Sequence, residues 1–185
     1  MAKTTDLSAL RARRIITGHD DLGKAMIVAD EQMEGAGLAE DRERSDGIFF
    51  HLWATHESPV DNSDAALAAQ CAGSATTIIG SGHGTVLRIG VMAPGLRSPM
   101  HRTESIDYAV CLEGECEMEL DGGDTVTVRA GDVVIQRGTN HVWHNRSEHP
   151  CKFAWILIDA QPIKVNGNEI RSSWVDEDNA EEAQT

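Results

Sequence analysis

His101 and Asp107 stand six positions apart in GLRSPMHRTESIDYAVCLEG, a segment bounded by Gly95 and Gly114, and His141 and His144 stand three apart in GDVVIQRGTNHVWHN. Side chains alternate faces along a strand. His101, Thr103, Asp107, Ala109 and Cys111 therefore share one face, provided the chain stays extended through residues 104–106. If small and apolar neighbours line that face, His101 and Asp107 point inward together, and a buried carboxylate answers by pairing, shifting its pKa or binding a metal. The segment then reads either as one rim of a metal site or as a strand with hydrogen-bonded polar groups. Further on, His141 shares its face with Trp143 and Asn145, which leaves His144 pointing outward.

Such groups need a rigid frame, and the surrounding sequence describes one made of strands. From residue 84 onward short alternating runs are broken by turn chemistry at Glu113-Gly114, Asp121-Gly122-Gly123 and Ala130-Gly131. TVLRIGVM, the runs between Asp107 and Gly138, and PCKFAWILIDA form this series; ARRIITG, KAMIVAD and GIFFHLWAT precede it. Helix-period segments are scarce, so the expected fold is all-β with eight to ten strands. The stretch 55–83 is a loop insertion with one short helical turn around Ala65 to Ala69. Its GSGHG is not followed by Gly-Lys-Ser/Thr and leads into a strand, which argues against phosphate binding.

Length and composition set further bounds. A chain of 185 residues has room for one sizeable core. We expect a flexible N-terminus over 1–11, one domain over 12–165 and a polar, acidic C-terminal tail over 166–185. Within the domain, the N-terminal strands take 12–54, the insertion 55–83 and the core barrel about 84–160. The net charge of −14 repels phosphate backbones and anionic membranes, so neither nucleic acid nor membrane is an expected partner. The sequence shows neither a long apolar run nor a signal-peptide pattern, and the expectation is cytoplasmic. Cys71, Cys111, Cys116 and Cys151 lack C-x-x-C spacing and read as small core or surface residues rather than disulfide partners.

Residues 95–114 resemble the first conserved motif of the cupin superfamily: Gly95, His101, Thr103, Asp107 and Gly114 fall at its positions. Residues 131–145 resemble the second through Gly131, Gly138, His141 and Asn145, although the segment before Gly138 is one residue short and Gln136 stands in place of the proline. The resemblance covers about residues 84–160 and implies a double-stranded β-helix, a jelly-roll barrel, here with extra N-terminal strands. It also implies a metal held by three histidines and a glutamate, of which His101, Asp107 and His141 take three roles. Thr103 replaces the second histidine of the first motif, and Asp107 is one methylene shorter than glutamate. What remains is a facial set of two histidines and one carboxylate, suited to one divalent transition metal, Fe, Mn, Ni or Zn. The same residues also fit a metal-free, hydrogen-bonded pocket. Glu104 is the rival carboxylate, with its parity pointing the other way.

Around these positions Trp143, Met118, Trp155 and His51 are candidate pocket residues, and Arg88 or Arg102 is a candidate to hold a carboxylated substrate. Phe153 and Trp155 also read as ordinary core. Thr103, or a metal-bound water, is the candidate for proton transfer. Two functions follow. One is a metal-dependent enzyme on a small organic molecule, by Lewis-acid lyase, dehydratase or isomerase chemistry or by Fe(II)-dependent dioxygenation. The other is a non-catalytic module that binds or senses a small ligand. Small cupins resemble one another in pairing, and RRIITG and GIFFHLW read as edge segments needing cover, so a homodimer is expected.

Overall fold

A computed structural model describes residues 7, 9–37, 46–67 and 84–175 of the chain. All its regular elements are strands: β1 (Arg11–His19), β2 (Ala25–Glu34), β3 (Ala36–Gly37), β4 (Gly47–Thr55), β5 (Thr85–Met92), β6 (Met100–Arg102), β7 (Ser105–Glu113), β8 (Glu115–Leu120), β9 (Thr125–Arg129), β10 (Val133–Arg137), β11 (His141–His144), β12 (Cys151–Asp159), β13 (Ile163–Val165), β14 (Asn168–Ile170) and β15 (Ser173–Val175). That is fifteen strands among the described residues, against an expectation of eight to ten, because several are two- or three-residue pieces too short to leave an alternation pattern. Among the described residues no helix is long and apolar enough to cross a membrane.

A six-stranded sheet, in the order β10-β7-β12-β5-β4-β3, faces a five-stranded one, in the order β15-β6-β11-β8-β9. This is the double-stranded β-helix. The alternation that builds it is visible on β7, where Ser105, Asp107, Ala109 and Cys111 are buried, and on β12, where Cys151, Phe153, Trp155 and Leu157 are. Cys116, Met118 and Trp143 from the opposite sheet close the same core. Gly90 makes close ring packing possible, since a side chain there would run into Trp155 and Phe49. At the end of β7, Gly114 turns with φ of 72°, and a Cβ would meet the Pro150 carbonyl at 2.8 Å, so the residue is set by conformation and by space.

β4 is apolar on both faces because both are covered. Phe49 packs inward, while Ile48, Phe50 and Leu52 pack outward with Leu7, Ala12 and Val91 in a second cluster. β3 covers β4 at Ile48 and Phe49 alone, so GIFFHLW, expected as an edge segment, has a described strand beside it on that side only at its start. β1 and β2 form a separate two-stranded ribbon. Past residue 165 the chain continues into β14 and β15, and β15 pairs with β6, setting Trp174 opposite His101 in register. One helical turn begins at Ser63–Leu67, with Ala66 N–H on the Ser63 carbonyl. The rest of that expected turn, Cys71, and most of GSGHG lie outside the described residues.

Candidate functional site

His101 on β6 and His141 on β11 are direct partners across an antiparallel pair, and their ring centroids are 4.2 Å apart. Each holds the carbonyl two residues before it: His101 Nδ1 lies 2.9 Å from Pro99 O, and His141 Nδ1 lies 3.0 Å from Thr139 O. A carbonyl only accepts, so each Nδ1 carries the proton and each Nε2 carries the lone pair. Burial keeps both rings neutral. Desolvation pulls His141 down to about 4, aided by the neighbouring His101, and pulls His101 below the ordinary histidine range, aided by Arg88.

Asp107 points inward from the facing sheet. The chain bends at Glu104 between β6 and β7 and crosses from one sheet to the other. His101 and Asp107 therefore do not sit on one extended strand; they look inward from opposite sheets. The bend replaces the extended path that the parity argument required. Ser105 Oγ donates to Asp107 Oδ1 at 2.5 Å and lies 2.8 Å from Thr103 Oγ1, which donates to Asp107 Oδ2 at 3.4 Å. Desolvation raises the Asp107 pKa, and Ser105, the Arg88 charge and Thr103 partly offset it. Glu104 turns to the surface, where it pairs with Arg171 at 3.1 Å. Among the described residues no three His, Cys, Asp or Glu side chains are gathered tightly enough to hold a metal.

The six-stranded sheet adds three polar groups to the same interior. His51 and Arg88 are register partners on β4 and β5, placed next to a β-bulge that shifts β4 by one residue. Gln136 is the register partner of Asp107 and is buried. His51 Nδ1, Arg88 Nε and Gln136 Oε1 are buried and lack a hydrogen-bond partner. The Gln136 amide nitrogen is used up on the Thr139 hydroxyl. Desolvation lowers the pKa of His51, with the Arg88 charge adding to it. Arg102, the other arginine raised by the sequence, has the opposite parity to His101 and its guanidinium is 3.9 Å from Asp121.

Trp143 links the polar groups to the apolar core. Its ring lies edge-on to His141, with centroids 6.2 Å apart, and packs on Phe153 and Trp155 at 5.0 and 6.3 Å. Met118 is its register partner on β8. The four expected pocket residues Trp143, Met118, Trp155 and His51 thus share the interior with His101, Asp107 and His141. Asn145 is structural: its side-chain amide donates to Met92 O and His149 O, and its oxygen accepts from Ser147. The sequence reading missed Ser105 and Gln136; the latter's signal was its place where the resembled motif has proline. Two clefts among the described residues, of about 500 and 410 Å³, lie elsewhere, beside β1 and the outer face of β4 and β5.

Comparison with known proteins agrees with this architecture. A cupin domain family model matches residues 88–157. The chain is 38% identical over 176 residues to phomopsin biosynthesis cluster protein D of Diaporthe leptostromiformis, covering 90% of each. It is 33% identical over 160 residues to the cupin-domain-containing oxidoreductase virC of Hypocrea virens, covering 84% of this chain and 80% of that protein. A solved cupin-2 domain from Rhodospirillum rubrum aligns over 81% of this chain and 80% of its own, with a TM-score of 0.49 and 13% identity. Two facing sheets with paired inward histidines define a cupin-type barrel. The chain belongs to the cupin superfamily.

Proposed function

We propose that the protein is an enzyme acting on a small organic molecule bound at the polar end of its barrel, with His101 and His141 as the ligand pair for a divalent transition metal and Asp107, now bonded to Ser105 and Thr103, as the carboxylate that would turn to it on binding. The observation that carries this reading is the imidazole pair: two neutral rings 4.2 Å apart, each with Nδ1 donating to a backbone carbonyl and Nε2 left as the lone-pair nitrogen. Metal-binding histidines are commonly oriented in this way by a hydrogen bond from the second ring nitrogen. The two histidines fit Fe, Mn, Ni or Zn, and Asp107 would add the carboxylate on release from Ser105 and Thr103. An ion bound there contributes Lewis acidity or, as Fe(II), reactivity toward dioxygen.

The chain's own residues do the rest. Trp143 and Trp155 wall off water and give the substrate an apolar surface. Ser105 and Thr103 orient the Asp107 carboxylate, and the Thr103 hydroxyl, bonded to it, is placed to pass a proton along that chain. That virC is named an oxidoreductase supports the redox branch over non-redox lyase or isomerase chemistry. Exposed Ile15, Met26 and Ile27 on the ribbon, with Tyr108, Val133 and Ile135 on the outer sheet face, support a homodimer.

Elemental analysis of the untagged chain tests the reading. Near-stoichiometric metal in the wild type, lost in both His101→Ala and His141→Ala, is the expected result. A metal-free wild type that shows no thermal shift with Fe(II), Mn(II), Ni(II) or Zn(II) contradicts it and favours a binding module.

A further inference from the structure

Arg88 stands on the inner face of the six-stranded sheet, in the cross-strand row His51, Arg88, Trp155 and Ala109. Its guanidinium carbon lies 4.9 Å from the centre of the Phe49 ring, and Phe49 in turn packs on Trp155 with centroids 5.6 Å apart. Nothing anionic holds it. Its Nε is buried with no hydrogen-bond partner, and no ion pair with Arg88 is formed among the described residues. Asp107, the nearby carboxylate that the guanidinium senses, gives its oxygens to Ser105 and Thr103 instead. Next to Arg88 a second buried nitrogen, His51 Nδ1, also lacks a partner.

An arginine is a rigid fork of donors matched to a carboxylate, and leaving such a charge inside a barrel without a counter-ion is costly. Arg102 also has an unbonded Nε, but its guanidinium has a carboxylate beside it in Asp121, and that of Arg88 has none within ion-pair distance among the described residues. Here the unused donors of adjacent strands face the same interior as the imidazole pair, beside a flat aromatic wall. The residue remains partly exposed.

We propose that Arg88, assisted by His51, is the anchor for a carboxylate group of the substrate, which makes the substrate class an organic acid with an apolar or aromatic body lying along Phe49 and Trp155. This rests on the reading that the polar end of the barrel is where the small molecule binds. It does not require the metal.

Titration of the full chain's tryptophan fluorescence with benzoate and with benzamide, its uncharged counterpart, tests the proposal. Benzoate is expected to give a saturable response and to bind at least about tenfold more tightly than benzamide, the ratio of a charge-assisted bidentate contact to a neutral one. Arg88→Gln is expected to weaken benzoate by about tenfold or more, and Arg88→Lys to restore part of the loss. Equal binding of the two probes by the wild type, no saturable response to benzoate, or undiminished benzoate binding by Arg88→Gln overturns the anchor. The wild-type comparison of benzoate with benzamide stands even if a variant fails to fold. Benzoate binding that survives His101→Ala shows the anchor to be independent of the metal, whose reading stands or falls on the elemental analysis, so the two fail separately.

Discussion

At one end of the barrel interior Cys111, Cys116, Cys151 and Phe153 are each 1% exposed or less, and at the other end the inward positions of the same and neighbouring strands carry Asp107, Arg88, His141 and Gln136. β7 runs from one to the other, with Asp107 and Cys111 four residues apart on one face. The apolar end satisfies every rule of core packing. Burial pushes the Cys111 thiol up to about 11. The polar end breaks those rules, with three orphaned polar atoms, two desolvated imidazoles and a carboxyl raised by burial. Alternation puts a side chain inside; only the groups around it determine whether the position stabilises the fold or is held in readiness for something else. Departures from local consistency of this kind concentrate at functional sites.

Truncating the apolar end should have the largest effect on stability. Phe153→Ala removes a fully buried ring stacked on Trp155 and is expected to cost about 3–5 kcal/mol in denaturant unfolding. A loss below about 1 kcal/mol would mean that this end is not the core that carries the fold. The histidines of the polar end should reveal themselves through pH. His141 has a folded pKa of about 4 against an ordinary 6.5, so the unfolded chain takes up a proton that the folded chain refuses. Its contribution is therefore complete above 6.5 and is lost as pH falls through 4, on the order of 3 kcal/mol in the metal-free protein. Unfolding curves of wild type and His141→Gln across that window should converge toward the acid side.

The smallest effect has the opposite sign. Burial raises the Asp107 pKa, so its stabilising share is present below the ordinary value of 3.8 and is lost as pH rises through the higher folded value. Asp107→Asn keeps the shape and drops the charge. It should raise the neutral-pH stability of the metal-free protein by about 1 kcal/mol while abolishing activity. A clear loss of stability instead would make Asp107 part of the frame and erase the contrast between the two ends.

The frame itself was legible because its signals are local: alternation in TVLRIGVM and PCKFAWILIDA, and glycines such as Gly114 where the backbone demands one. His101 and His141 were legible for the same reason, each lying on an inward position of a strand. The bend at Glu104 was not, since nothing in MHRTESID distinguishes one long strand from two short ones that change sheets. Gln136 was noticed only as a departure from a motif, and its tie to Asp107 depends on a register between β10 and β7 that spans distant sequence. Arg88 shares parity with Val86 and Met92, which marks it as inward, but its lack of a partner is a fact about three other strands.

The central claim is that the two facing imidazoles present their Nε2 lone pairs as a metal-ligand pair. Long-range nitrogen–proton NMR of the ¹⁵N-labelled full chain, metal-free and then with one equivalent of diamagnetic Zn(II), tests it most directly. The account predicts Nδ1–H tautomers for His101 and His141 and large Nε2 shifts in these two rings alone on adding zinc. Protonated Nε2 atoms in the metal-free protein, or zinc shifts confined to surface histidines such as His149, would contradict it.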